Sequence, residues 1–420
     1  MNRKPSSRRR FFQDSAALAG LAMGVGQSSL AQTPQSEEAG ARPTGIRAYG
    51  ERSRYDTWTR LEDDHEEAGL TTPIQDQHGI ITPSGLHFLM DHDHRKDLLD
   101  INPEQHRLLI HGMVNRPMVF TVEELKTLPS VSRIYFIECN GNSQPQRGVD
   151  SVQRLHGRVS CSEWTGVPLS LLLKEAGVQA GAKWLLAEAA DRKKYTTELP
   201  MEKMLDDALV AYGQNGESLR AEQGFPLRLI VPGFEGNSSM KWLRRIKLGD
   251  KPFMPRFQAA GNSELRMDGK AVWHNFEMGA KSIITRPGGG QKLPGPGYYE
   301  IRGLAWSGGG AVRKVEVSTD GGRSWKEARL QDPVLRFAFA RFTLDWRWNG
   351  EETVLQSRCT DERGERQPTV AEMASVRGVT VEYLLGIGER YKDMGPGNHH
   401  NSIQPWKITR EGNVLNALFS

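Results

Sequence analysis

The sequence predicts an α+β protein: a mixed α/β domain followed by an immunoglobulin-like β-sandwich. Three observations carry this. The 420 residues exceed the roughly 250 that one hydrophobic core usually serves, so the chain divides into domains. Helix and strand patterns alternate as far as residue 250. Beyond about residue 260 helical periodicity fades, and strand-like runs are punctuated by glycine turns.

In the first domain, Leu108–Val114 reads as a strand and turn. Thr121 and Glu124 form a capping box that opens a short helix, which Pro129 stops. Val131–Cys139 (VSRIYFIEC) reads as a buried strand ending at Cys139. Gly166-Val-Pro168 opens a helix with Leu169, Leu172, Leu173 and Ala176 on one face. Leu186–Ala190 and Phe225–Val231 read as further strands. In the second domain the strand-like runs are Tyr298–Trp306, Ala311–Val317, Phe337–Trp346 and Glu352–Cys359. Turns at 307–310, 320–322 and 349–350 separate them, the texture of an immunoglobulin-type sandwich. Tyr391–Trp406, rich in Gly, Asn and His, reads as a loop packing back on the body.

The N-terminus complicates the charge. Arg8-Arg9-Arg10-Phe11-Phe12, a small-residue apolar stretch from Ala16 to Val25, and Ser29-Leu30-Ala31 resemble a twin-arginine export signal over residues 1–31. Periplasmic export is therefore expected. Without that leader the chain's net +4 becomes 50 basic against 50 acidic residues, so nothing global points to nucleic acid. An extended arm is expected over 32–75. Three cysteines exclude a disulfide scaffold.

Cys139 lies in Glu-Cys-Asn-Gly-Asn-Ser, a thiol leaving a buried strand into a Gly/Asn turn. A structural cysteine, a ligand and a reactive thiol all fit that placement. Cys161 and Cys359 read as small buried hydrophobes. His92 and His94 suit metal or phosphate contact, or a solvated loop. His399 and His400 read as surface residues or a lid. Arg228, Lys241, Arg244 and Arg245 bracket a Gly/Asn/Ser loop at 233–239, a pattern that suits an oxyanion. The glycine runs at 288–290 and 295–297 lack the strand–turn–helix context of a dinucleotide site. No Cys-x-x-Cys-His occurs, so no haem of the usual c type is attached to this chain.

Several collinear stretches resemble the sulfite oxidase family of molybdenum enzymes. They are Phe136–Asn142, Glu163–Leu169, Ala211–Gly216, Gly224–Arg228, Ile230–Gly233, Ser239–Trp242, Gly303–Gly308 and Val317–Trp325. Gln75–Leu86, His106–Gly112 and Ser132-Arg133 are similar to the molybdenum subunits of periplasmic sulfane dehydrogenases. The resemblance implies a molybdopterin-binding domain over 76–258, a dimerisation-type sandwich over 259–388 and a tail over 389–420. It implies Cys139 as the molybdenum ligand and His92, Asp191, Ser239, Met240 and Lys241 as cofactor contacts. It implies Arg228 as a cofactor or substrate arginine and Tyr212 as the tyrosine beside the substrate.

Two positions depart from the family pattern. Gln223 stands where a histidine precedes Gly-Phe-Pro, and Met90 where an arginine holds the sulfite oxyanion. The implied activity is molybdenum-dependent oxidation of sulfane sulfur, carried as a persulfide on another protein, by oxo transfer. Electrons would pass to a c-type, di-haem cytochrome subunit. A sulfite dehydrogenase and a sulfoxide-type reductase are the alternatives, and a homodimer or a heterotetramer is the implied assembly.

Overall fold

The computed structural model describes residues 50–62, 69–90, 99–261, 263–265, 268–272, 276–387 and 399–419. The leader and His92 with His94 lie outside the described residues. The chain splits into Met1–Thr57 and Trp58–Ser420. The described part of the first unit, residues 50–57, is exposed.

The second unit opens with a small antiparallel pair, β1 (Leu61–Glu62) and β2 (Leu70–Thr71). There follow β3 (Arg107–Gly112), β4 (Met118–Thr121), α1 (Val122–Thr127), β5 (Val131–Glu138), α2 (Val152–His156), β6 (Val159–Pro168) and α3 (Leu169–Ala176). Next come β7 (Trp184–Ala189), β8 (Thr196–Pro200), α4 (Met201–Asp206), β9 (Leu209–Gln214), β10 (Glu217–Ser218), β11 (Arg228–Ile230) and β12 (Leu243–Gly249). These strands make two sheets. One has the order β10-β9-β6-β5 with β11 beside β9; the other is β4-β3-β12-β7-β8, with β12 parallel to β3.

Local chemistry sets the helices. At α1 the Thr121 hydroxyl accepts from Glu124 N–H while the Glu124 carboxylate accepts from Thr121 N–H, the expected capping box. On α3, Leu169, Leu172, Leu173 and Ala176 are all fully buried. They share one core with Leu108, Ile110 and Ile246 of the β3/β12 pair. That helix stops where Gly177 takes a left-handed φ of 69° and its N–H reaches Leu173 O and Lys174 O.

Some expectations shift. Gly166–Pro168 ends β6 instead of opening α3, because β6 stays paired with β9 through a register shift at Thr165/Gly166. The strand expected over Phe225–Val231 is only Arg228–Ile230. β12 escaped notice because Arg244, Arg245 and Lys247 interrupt its buried Leu243, Ile246 and Leu248.

A short pair, β13 (Glu264–Leu265) and β14 (Ala271–Val272), precedes the second domain. That domain comprises β15 (Lys281–Arg286), β16 (Gly297–Trp306), β17 (Val312–Ser318), β18 (Lys326–Glu327), β19 (Arg329–Gln331), β20 (Ala340–Trp348) and β21 (Thr353–Asp361). α5 (Val370–Arg377), α6 (Val381–Leu384), β22 (Trp406–Ile408) and β23 (Val414–Asn416) follow. One sheet runs β15-β16-β20-β19 and the other β18-β17-β21-β22-β23, with antiparallel neighbours throughout. Phe337–Phe339, expected in a strand, instead lead into β20 as buried core. Residues 399–405, within the stretch expected as a loop, carry no strand, and beyond them the β22–β23 hairpin extends the second sheet, since the alternating burial of Trp406 and Ile408 seats it beside β21.

A continuous apolar core joins the two domains. Phe136, Ile137, Val159 and Trp164 of the first lie in one cluster with Ile283, Trp306, Phe339 and Trp406 of the second. The β15–β16 connection threads this junction at Gly289. A Cβ there would lie 1.8 Å from Asp150 O and 2.2 Å from the Trp406 ring. Gly289→Ala is therefore expected to destabilise the fold by about 1–3 kcal/mol through overpacking. A lower urea midpoint at unchanged slope would show it.

Candidate active site

β5 delivers the central residue. Its inner half is apolar and buried up to Ile137, and Glu138 and Cys139 then turn the chain away from the sheet. Cys139 is half-buried and carries a thiol; its N–H donates to Arg158 O at 2.9 Å and its O accepts from Asn142 N–H at 2.9 Å. The Arg158 guanidinium lies over this turn, donating to Gly141 O at 3.4 Å. A Cβ on Gly141 would sit 3.1 Å from Arg158 Nη1 and 3.9 Å from Cys139 Sγ. The other two thiols differ. Burial pushes Cys161 up to about 12 and raises Cys359 as well, so both stay protonated inside the core.

The expected anion-binding bases separate into two groups. Arg244 and Arg245 pair with Glu188 of β7. Arg228 and Lys241 instead lie near His87, on which both charges act. Arg228 donates to Ser239 O at 3.3 Å, to Gln223 O at 3.2 Å and to Gln223 Oε1 at 2.8 Å. Its guanidinium lies 5.2 Å from the Trp164 ring centre. Lys241 Nζ donates to Met90 O at 3.1 Å and Glu222 O at 3.4 Å. Burial pulls Arg228 down to about 9, so it remains a cation at neutral pH.

All three acceptors on Arg228 are neutral oxygens, and no carboxylate lies within ion-pair reach of it among the described residues. A buried cation so arranged calls for an anion. His87 adds to the picture. Its Nδ1 lies 3.0 Å from Phe88 O, its Nε2 is buried without a hydrogen-bond partner among the described residues, and Arg228, Arg60 and Lys241 all act on it.

Each other expected residue has a definite place. Gln223 is buried and neutral, accepting from Arg228 while its Nε2 donates to Phe88 O at 3.1 Å. The Ser239 hydroxyl accepts from Val231 N–H at 3.1 Å, and the Met240 side chain lies in the first domain's core. Asp191 sits in the β7–β8 turn, where Oδ1 accepts from Tyr195 N–H at 2.8 Å. Tyr212 is half-buried on β9, packed against that same core. A different tyrosine feels the charge at Cys139. Tyr195 is driven upward by burial and then by the charges of Cys139, Glu235 and Asp191.

Arg228 and Cys139 meet β6 at different points: Arg228 packs on Trp164, whereas Cys139 follows Glu138, the partner of Val159. Four strand residues lie between Val159 and Trp164, roughly 16 Å of backbone along β6. Sequence reasoning missed Arg158, Tyr195, Glu138 and Lys281. Glu138 had a legible signal, a carboxylate in an otherwise apolar strand, which demands a buried partner.

His399 and His400 are buried, not surface residues. Burial is the largest influence on His87 and His400, and each is pulled down to about 3. In the unfolded chain they titrate near 6.5. Between those values the unfolded state binds more protons, so their stabilisation is complete above pH 6.5 and is lost as pH falls toward 3. Urea midpoints should decline through that window. The decline should be shallower in His87→Gln, which removes one of the two groups.

Residues 95–257 match the family model described as oxidoreductase molybdopterin binding domain, and residues 273–384 match the Mo-co oxidoreductase dimerisation domain. Among solved structures, the chain is similar to the sulfane dehydrogenase SoxCD from Paracoccus pantotrophus. The two are 36% identical with a TM-score of 0.78, covering 92% of this chain and 95% of that one. The chain belongs to the sulfite oxidase family of molybdenum enzymes. Its relatives include the NADH nitrate reductase of Solanum lycopersicum, 32% identical over 69% of this chain and 36% of the reductase. Another is that of Arabidopsis thaliana, 32% identical over 64% and 33% respectively. The chain thus spans about a third of the length of the curated relatives it matches.

The residues fit the family's cofactor. Among the described residues no group of three or more His, Cys, Asp or Glu is arranged to hold a metal ion. A metal at Cys139 would therefore bring most of its own ligands, as a dithiolene complex does. The buried Arg228 guanidinium, met only by neutral oxygens among the described residues, offers a place for an anionic group. No helix among the described residues is long and apolar enough to cross a membrane.

Proposed function

We propose that this chain is the molybdenum-binding subunit of a sulfane dehydrogenase, oxidising sulfur carried as a persulfide on another protein and passing electrons to a c-type cytochrome. The similarity to SoxCD along nearly all of both chains supports this reading. Bound at this site, a molybdenum–molybdopterin group would supply oxo transfer and two-electron chemistry.

The protein's part follows from its own residues. Cys139 would hold the metal, with its turn fixed by the Arg158 and Asn142 backbone contacts. Arg228, oriented by Gln223 and Ser239, and Lys241, oriented by Met90 and Glu222, would hold the anionic end of the pterin. Asp191 holds the β7–β8 turn through Tyr195 N–H. Arg228 would serve as a cofactor or substrate arginine, its guanidinium held in place by Gln223 and Ser239. His92 belongs to the same cofactor set by family resemblance. Tyr212 would sit beside the substrate, as the family resemblance implies.

Met90 supplies no charge to free sulfite, which favours carrier-bound sulfur. Folding in the cytoplasm with the cofactor in place, followed by twin-arginine export to the periplasm, completes the proposal. The test is metal analysis of the purified protein joined to turnover on carrier-bound persulfide and on free sulfite, with a c-type cytochrome as acceptor. Molybdenum with preferred persulfide turnover supports the reading. Preferred turnover of free sulfite makes the protein a sulfite dehydrogenase instead.

Arg228→Met is expected to lower molybdenum content and pterin retention without unfolding the chain, because Met preserves the packing on Trp164 while removing the charge. Full pterin retention would overturn the assignment of Arg228.

A further inference from the structure

A buried polar cluster lies where the second domain grips the residues on either side of Cys139. Glu138, wholly buried, accepts from Lys281 Nζ at 2.6 Å and Asn142 Nδ2 at 2.8 Å through Oε1, and from Trp306 Nε1 at 2.7 Å through Oε2. Lys281 begins β15 and Trp306 ends β16, so both donors come from the sandwich. Asn142 closes the loop, its Oδ1 accepting from Arg158 N–H at 3.1 Å. On the other side of the thiol, Asn140 O accepts from His399 N–H at 2.5 Å. His399 Nε2 in turn accepts from Gly279 N–H at 2.8 Å, and Asn401 Nδ2 donates to Ala280 O at 3.2 Å.

His399 adopts this place with a left-handed φ of 55°, a conformation uncommon for a residue other than glycine. A buried ammonium–carboxylate pair is a poor choice if stability alone is needed, since apolar residues of the same volume serve as well. What a charged, three-donor cage adds is direction: it allows Glu138 one orientation and so fixes the backbone entering Cys139.

We propose that Lys281, Trp306 and His399 are positioning residues for Cys139, so that the place of the thiolate depends on the docking of the sandwich domain and the tail. This rests on the reading of Cys139 as the molybdenum ligand. The cage acts on the thiol through its chain neighbours Glu138 and Asn140.

The test uses cofactor-loaded protein carrying Glu138→Gln with Lys281→Met, which removes both charges together and keeps an acceptor for Trp306. His399→Asn, a residue tolerant of left-handed backbone, is the second variant. Molybdenum content, unfolding temperature, the paramagnetic resonance spectrum of the bound metal, kcat and KM are measured together. The expected result is parental metal content and KM, an altered spectrum, and a kcat lowered about ten- to a hundredfold, the scale of a small misplacement. A parental spectrum and kcat in both variants overturns the proposal, as does a fall in kcat that merely tracks lost metal or unfolding. Cys139→Ser separates the two readings. Full activity there with molybdenum bound defeats the ligand assignment, whereas an inactive Cys139→Ser beside a parental double variant defeats only the positioning.

Discussion

Cys139→Ser is expected to abolish sulfur oxidation in a protein that remains folded. The change replaces one atom at a half-buried position, and the turn around it is held by backbone contacts to Arg158 and Asn142 that do not involve the sulfur. Unfolding temperature should therefore move little. The chemistry changes far more. A thiol becomes a soft anionic ligand at accessible pH and under a bound cation, whereas a serine hydroxyl stays protonated and binds such a metal weakly. Turnover below detection, with near-parental unfolding temperature, is the expected outcome. Full turnover with molybdenum retained would remove Cys139 from the site. Cys161 and Cys359, each buried within the core, should tolerate Ser or Ala with effects on stability alone.

Glu138→Ala is expected to be the most damaging single substitution for the fold. It leaves the Lys281 ammonium, 1% exposed, without its counter-charge, and strips the Trp306 and Asn142 donors of their acceptor. Burial pulls Lys281 downward and the Glu138 carboxylate holds it up, so the loss of the carboxylate exposes the full cost of desolvation. Breaking a buried pair from one side costs about 3–5 kcal/mol. The loss should appear as a large fall in urea midpoint and, in the expressed protein, reduced molybdenum content. The Glu138→Gln/Lys281→Met pair should recover most of that stability. A single-variant midpoint close to the parent's would show that water or a neighbouring group relieves the ammonium.

Much of the fold was legible because local rules agree with the tertiary outcome. The Thr121/Glu124 capping box, the apolar face of α3 and the glycine turns of the sandwich each state their structure within a few residues. β12 was not legible, since Arg244, Arg245 and Lys247 point away from the core and mimic a basic loop. The tail hairpin was hidden for a similar reason. β22 has only three residues, and their strand character depends on pairing with β21.

The site divides the same way. Cys139 stood out by its place at the end of a buried strand, and Arg228 and Lys241 by a basic pair around a Gly/Asn/Ser loop. The sequence could not tell those bases from Arg244 and Arg245, which fold onto Glu188 on another sheet. It carried no sign that Tyr195 would feel the charge of Cys139, because that proximity arises only from the packing of the β7–β8 turn.

What the sequence carried by itself was the resemblance to the family, the two-domain texture, and a candidate thiol and basic segment. The texture and the candidates follow from residue type and short-range spacing, and the family from the resemblance of its collinear stretches. Tertiary structure alone decided which groups share a dielectric environment. It brought Lys281, Trp306 and His399 to the flanks of Cys139 from positions more than a hundred residues away. A buried charge announces that it needs a partner, but which partner it finds is settled only when two domains close a common core around it.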